Sequence, residues 1–337
     1  MDGYRLLSRL GSGGMADVYL ADTPTGRPVA VKVLRANTGA TEACRREYRI
    51  ASTIDAKSTP PVLAYGTSEA GSYLVIAYLP GYRCATTLAG GPITPGRLWR
   101  FGSALARTLA AVHTRSVVHC DVKPSNLLVR DDDVRIIDFG IARHVGQHAH
   151  GGIVECSRGW AAPEQLWNTA ATPAVDVFAW GCLLAQLASG IHPFASQSEQ
   201  EWILRLQSAQ PDLFDLPPGL DNLIRAALAR NPRDRPTAHE LTAICQHRVD
   251  NPAAGRPRDS SARQHLQTRS GDCHVNGSVS GKGRQKRTHT MGTSLAAHFT
   301  RREVQGNGPG AIPTPRPGSE TWMERQRFNR PGRSGRF

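Results

Sequence analysis

The sequence predicts an α+β chain of two lobes: a small β-rich N-lobe over about residues 1–80 and a larger helical C-lobe over about 81–247. A disordered C-terminal tail, 248–337, is expected to follow. Three observations carry this. Short runs of alternating or β-branched apolar residues crowd the first 80 positions. Apolar residues at helical spacing dominate from Thr94 onward. From about residue 250 Arg, Gly, Pro, Ser, Gln and His prevail, and no period holds for two turns. Such a stretch cannot bury enough apolar surface to offset its ordering entropy.

Taken in order, Tyr4 to Leu10 and Val18 to Ala21 read as strands around a glycine turn, and Pro28 to Leu34 as a third strand. Thr41 to Ile54 has a helical composition. Ser72 to Tyr78 is a buried apolar strand closed by Leu79-Pro80-Gly81. Thr94 followed by Pro95 opens a helix. Along that helix Leu98, Phe101, Leu105, Leu109 and Val112 recur at one-face spacing. Two short strands, Leu127 to Val129 and Val134 to Ile137, flank an Asp131-Asp132-Asp133 turn. Helices are predicted over 174–189, 199–208, 220–230 and 237–247.

The net charge of +13 over 337 residues is unevenly placed. Residues 1–247 hold 24 Lys+Arg against 22 Asp+Glu, and the remainder hold 17 against 6. The basicity therefore belongs to the tail, which has the charge to attract an acidic partner, nucleic acid or anionic lipid, although a solvated linker is the plainer reading. Seven scattered cysteines with no CxxC pair argue against a disulfide framework or zinc site and for a reducing compartment. No leader pattern is visible at the start. The longest apolar run, Val177 to Ala185, is far short of the ~18 residues of a membrane span, so no transmembrane segment is expected. A cytoplasmic location follows as the expectation.

Chemistry-bearing motifs lie in the first 247 residues. Gly11-Ser12-Gly13-Gly14 sits between two strands, where glycines let backbone N–H groups approach phosphate oxygens. A strand follows it rather than a helix, which disfavours a dinucleotide fingerprint, and no GxxxxGK[ST] is present. Lys32 ends the apolar run Val29-Ala30-Val31, and a half-buried lysine needs an anionic partner; Glu47 can supply it. Most informative is His119-Cys120-Asp121-Val122-Lys123-Pro124-Ser125-Asn126, with Asp138-Phe139-Gly140 twelve residues beyond Asn126. It offers a carboxylate for a hydroxyl proton, a lysine for a phosphate and an Asn/Asp pair for a divalent cation.

With these motifs in this order, the chain resembles a serine/threonine protein kinase of the bacterial, eukaryotic-like type over about residues 4–247. The resemblance implies the bilobal kinase fold, ATP as phosphoryl donor with Mg2+ or Mn2+, and protein Ser/Thr hydroxyls as acceptors. The family's GxGxxGxV appears as Gly11, Gly13 and Val18, with Ala16 in place of the third glycine. The nucleotide site would comprise Leu10, Gly11, Ser12, Gly13, Gly14, Val18, Ala30, Lys32, Glu47, the gatekeeper Ile76, Ala77 and Leu79. Glu47 is the better match for the partner of Lys32, with Glu42 the rival. Asp121 would be the catalytic base, Lys123 would steady the γ-phosphate, and Asn126 and Asp138 would hold the metal. Ser157 stands where a threonine usually contacts the base and lysine. Glu164 should pair with Arg235, and Asp176 should cap the catalytic-loop backbone. The alternative is a nucleotide-binding pseudokinase scaffold acting through its basic tail. A small-molecule kinase is disfavoured by Ala162-Pro163-Glu164, which builds a peptide platform.

One departure stands out. Cys120 occupies the place of the arginine that in most members binds an activation-loop phosphate, and Ile141 to Cys156 contains no Ser, Thr or Tyr. Together these predict a kinase not gated by activation-loop phosphorylation. Cys120 reads as a buried inert thiol before a redox sensor, and His144, His148 and His150 as a solvated loop before a metal site.

Overall fold

β-branched residues at every second position make Pro28–Leu34 (β3) the centre of an antiparallel sheet. The computed structural model describes residues 3–35, 39–90, 93–149, 156–167, 169–208, 211–214 and 216–252, so the tail lies outside it. With β1 (Arg5–Ser12), β2 (Ala16–Asp22), β4 (Val62–Ser68) and β5 (Gly71–Ala77), the order is β1-β2-β3-β5-β4. The pleat sorts the side chains. Val29, Val31 and Val33 join Ala21, Tyr73 and Val75 on one face. On the other, Leu34 and Leu74 meet Ala40 and Cys44 of α1 (Ala40–Ala51). Lys32 shares that second face, in register with Val18 on one side and Leu74 on the other.

The second lobe is helical. Leu98, Phe101, Leu105, Leu109 and Val112 of α2 (Pro95–His113) are all buried, as their spacing requires. α3 (Ala174–Ser189) is buried on nearly every side, with Trp180, Phe178, Leu183 and Leu184 at its core. Gly102 permits the approach of α2, since a Cβ there would come within 2.8 Å of Leu184. α4 (Glu199–Ser208), α5 (Leu220–Ala227) and α6 (Ala238–Asp250) complete the lobe, α6 opening on a capping box between Thr237 and Glu240. Between the lobes lie two small sheets. β6 (Arg83–Cys84) pairs with β8 (Leu127–Arg130), which pairs with β9 (Asp133–Ile136). β7 (Val117–Val118) pairs with β10 (Arg143–His144) and so ties the chain before Asp121 to the chain after Asp138.

Several boundaries differ from expectation for identifiable reasons. β1 runs on through Gly11 and Ser12, which pair with Val18 and Asp17, so the turn shrinks to Gly13–Met15. β4 had no counterpart in the sequence reading. Its inward positions are the small residues Ala64 and Gly66, while Leu63 and Tyr65 point out, which inverts the usual alternation. Tyr73 fills the space a Cβ on Gly66 would need, 2.7 Å from its hydroxyl. α1 ends at Ala51 rather than Ile54, the chain tightening into i→i+3 bonds from Thr53 and Ile54. α5 stops at Ala227 rather than 230, because Ala229 O accepts from Arg235 Nε at 2.8 Å and Arg230 O from its Nη2 at 3.4 Å. Among the described residues no helix is long and apolar enough to cross a membrane.

Candidate active site

Sheet, helix α1 and the chain after β9 converge on one ammonium. Lys32 Nζ lies 2.7 Å from both carboxylate oxygens of Glu47 and 2.7 Å from Asp138 Oδ1. β3 aims the lysine inward, and α1 presents Glu47 from the face that packs on the sheet. Glu42, one and a half turns earlier, forms only an exposed pair with Arg45 at 3.4 Å. Burial works against the Lys32 charge, but the Asp138 and Glu47 carboxylates outweigh it and hold its pKa above the ordinary value. Asp138 feels burial in the opposite sense, and the Lys32 charge and hydrogen bond bring its pKa down to about 2. Gly140 N adds a bond to Asp138 Oδ1 at 3.3 Å, and Oδ2 accepts from no described residue.

The second half of the site is the loop between β7 and β8. Asp176 at the start of α3 anchors it, its Oδ1 accepting from Cys120 N at 2.9 Å and its Oδ2 from His119 N at 2.8 Å. His113 Nε2 reaches Asp176 Oδ2 at 2.9 Å. Asp121 N donates to His119 Nδ1 at 3.3 Å, so the other ring nitrogen is the donor to Ile137 O at 3.0 Å. Phe139 packs edge-on against that ring, 4.9 Å between centroids. Cys120 (φ 66°) and Asp138 (φ 70°) both take left-handed backbone, which L-residues adopt at a cost of about 1–2 kcal/mol.

Asp121 is bound on one side only. Its Oδ2 takes Lys123 Nζ at 2.8 Å and Asn126 Nδ2 at 2.9 Å. Its Oδ1 is buried and has no donor among the described residues. Asn126 Nδ2 also donates to Asp121 O at 2.9 Å, which leaves Asn126 Oδ1 as the free end of that amide. Lys123 Nζ continues to Ser157 Oγ at 2.6 Å, so the structure joins Ser157 to the base through the lysine. Glu164 and Arg235 form the expected bidentate pair at 2.6 and 2.9 Å, with the guanidinium fully buried.

The donor set fits a hard divalent cation. Asn126 Oδ1 and Asp138 Oδ2 are uncommitted oxygens, and phosphates and water would complete the sphere. Among the described residues no three His, Cys, Asp or Glu side chains could hold a metal by themselves. His144 lies on β10, His148 follows it, and His150 lies outside the described residues. Cys120 is 4% exposed, and burial followed by the Asp176 charge pushes its thiol up to about 12.

Of the other expected residues, Leu10, Gly11 and Ser12 lie on β1, Gly13 and Gly14 in the turn, and Val18 on β2 beside Lys32. Ala30 on β3 pairs with Ile76 on β5, and Ala77 ends that strand with Leu79 just beyond. Sequence reading missed Gln165, which donates to Cys120 O at 3.0 Å and accepts from Ala162 N at 2.8 Å. It also missed His113 and Arg46, whose Nη2 reaches Gly140 O at 3.3 Å. No local pattern marks these three; their roles exist only once distant segments meet.

The sequence pattern of the protein kinase domain matches residues 4–248. The chain is 38% identical over 248 residues to the probable serine/threonine-protein kinase PkwA of Thermomonospora curvata, covering 71% of this chain and 33% of that protein. It is 32% identical over 264 residues to the serine/threonine-protein kinase pkn2 of Myxococcus xanthus, covering 72% and 32%. Against the serine/threonine-protein kinase PrkC of Bacillus subtilis the identity is 31% over 255 residues, covering 71% and 39%. The chain thus spans about a third of the length of the curated relatives it matches.

Proposed function

The chain belongs to the protein kinase domain family, and on that premise we propose that it transfers the γ-phosphoryl group of ATP to Ser or Thr hydroxyls of proteins. The observation that carries this reading is the buried, donorless Oδ1 of Asp121, beside a lysine and an asparagine that hold Oδ2 still. A buried acceptor without a donor is costly, and an incoming hydroxyl supplies the donor. The hydroxyl proton passes to Asp121, its oxygen bonds to the γ-phosphorus, and the bond to the β–γ bridging oxygen breaks to release ADP. Lys123 faces the transferred group, and Lys32, fixed by Glu47, faces the α/β-phosphates. Mg2+ or Mn2+ held by Asn126 and Asp138 would neutralise phosphate charge there.

Gly11 and Gly13 support a nucleotide at the β1–β2 turn. Neither has positive φ, and a Cβ on Gly11 would meet nothing within 4 Å, so nothing inside the protein demands glycine there. Ala77 N donates to Pro61 O at 2.9 Å, so an adenine contact at Ala77 falls to its carbonyl, with the Leu79 N–H as the complementary donor. Cys120 offers no charge for an activation-loop phosphate, and we extend the reading to a kinase not gated by one. A Ser157 phosphate that raised turnover would sink that extension. The unpaired cysteines among the described residues favour a cytoplasmic setting.

The test is transfer itself. The purified chain with labelled ATP, Mg2+ and a mixture of generic protein substrates should label both itself and a substrate, and Asp121→Asn and Lys32→Met should each abolish labelling. Thermal stabilisation by ATP with no transfer under any condition would overturn the proposal in favour of a binding scaffold.

A further inference from the structure

We propose that Arg158 selects protein substrates with an acidic side chain within about two residues of the accepting Ser or Thr. The inference rests on the kinase reading and adds a substrate class to it. Ser157 is hydrogen-bonded to Lys123, which is paired with Asp121, so residues 157–160 border the place where the accepting hydroxyl must sit. Arg158 is the next residue, its Cα about 3.8 Å along the chain. It is exposed, and its Nη2 donates only to neutral acceptors, Ser196 O at 3.3 Å and Ser196 Oγ at 3.2 Å. Among the described residues no carboxylate lies within ion-pair distance of it.

The platform beneath Arg158 is built to hold position. Trp160 N and Ala161 N both bond back to Ser157 O, at 3.1 and 3.2 Å. Gly159 takes a left-handed φ of 88°, and the Trp160 ring stands edge-on to His192 at 4.9 Å. His192 is fixed in turn by Phe194 N, which donates to its Nδ1 at 3.1 Å. Burial drives the His192 pKa to about 4, so it is neutral near pH 7 and adds no charge of its own.

The remaining charges on α4 and its flanks are mostly spoken for. Arg205 pairs with Asp212. Glu201 accepts from Gln197 N at 2.9 Å, and Glu199 has an interaction of its own. Both glutamates sit in the first turn of α4, where the helix N-terminus compensates negative charge. Two buried donors of α4, Trp202 Nε1 and Arg205 Nε, have no acceptor among the described residues. Among the described residues the region is short of acceptors, and Arg158, exposed beside the proposed reaction centre, meets no carboxylate there. A carboxylate on the passing substrate supplies what is missing, and the planar guanidinium can take it in two parallel bonds.

The experiment is a set of short peptides around a central Ser, with Ala, Lys or Glu placed singly at each of the three positions on either side. These are assayed with the full chain, Arg158→Ala and Arg158→Glu, each checked for an unchanged melting temperature. At one position within two residues of the Ser, Glu should exceed Ala in kcat/KM by about fivefold, the size of an exposed ion pair. That preference should fade in about 0.5 M salt. It should vanish in Arg158→Ala and turn towards Lys in Arg158→Glu. An active enzyme with no acidic preference, or one that keeps the preference in Arg158→Ala, overturns this inference alone. So does a uniform loss of activity on all peptides, which a mere brace to Ser196 would produce. Absence of both peptide labelling and self-labelling overturns the kinase reading as well.

Discussion

Cys120 concentrates the physics of this site in one residue. Its left-handed backbone is held from both ends, by Asp176 accepting from its N–H and by Gln165 donating to its carbonyl. The strain is thus offset by two buried partners, which fix the backbone next to Asp121. The same burial makes the thiol chemically quiet. With its pKa pushed up to about 12, only about three thiols in a hundred thousand are ionised near pH 7.5. Iodoacetamide at that pH should therefore leave Cys120 unmodified in the folded chain and modify it after unfolding in urea. Peptide mapping that found Cys120 labelled in the native protein would contradict this and reopen a sensing role. The residue type and its place in the loop were readable from the sequence. The φ angle and the Gln165 contact were not, because they depend on segments 45 residues apart.

At the scale of elements, the β1–β2 hairpin separates stability from function. Gly11 lies within β1, paired with Val18, in a conformation any residue adopts and with open space where a Cβ would go. Gly11→Ala should leave the melting temperature unchanged or raise it slightly, since alanine loses less backbone entropy by up to about 1 kcal/mol. The KM for ATP should nonetheless rise several-fold, the added methyl taking space meant for phosphate. A lower melting temperature with unchanged KM would mean that the glycine serves the fold. β3 and α4 were readable end to end because their apolar residues repeat with one clear period, and α3 because its unbroken apolar run is too long for a strand. β4 escaped because its inward residues are small, and β6, β7 and β10, at two residues each, are too short to carry any period.

For the whole molecule, the Lys32–Glu47–Asp138 cluster joins the sheet, α1 and the chain following β9, so its charge state bears on how these hold together. Asp138 has a folded pKa of about 2, below its ordinary 3.8. It therefore contributes stability that is fully present above about pH 4 and is lost as pH falls through about 2. Lys32 works in the opposite sense. Its raised pKa contributes stability below its ordinary value and loses it only in strong alkali. Asp138→Asn should thus lower unfolding free energy by about 1–2 kcal/mol between pH 5 and 8, the range reflecting solvent screening of a side chain 29% exposed. The gap to the unsubstituted chain should close between pH 4 and 2, as followed by urea titration. A gap that stayed constant down to pH 2 would show that the carboxylate's charge contributes nothing.

The sequence by itself determined the two-lobed class and singled out Lys32, Asp121, Lys123, Asn126 and Asp138 as candidates, because local period and fixed short spacings are properties of neighbouring residues. Only the tertiary structure decided which glutamate meets Lys32, that Asp121 keeps one oxygen without a donor among the described residues, and that Arg158 meets no carboxylate among them. The reason is common to all three. A charge or a lone pair is free or engaged according to what long-range packing brings within about 3 Å, and neighbours along the chain do not specify that.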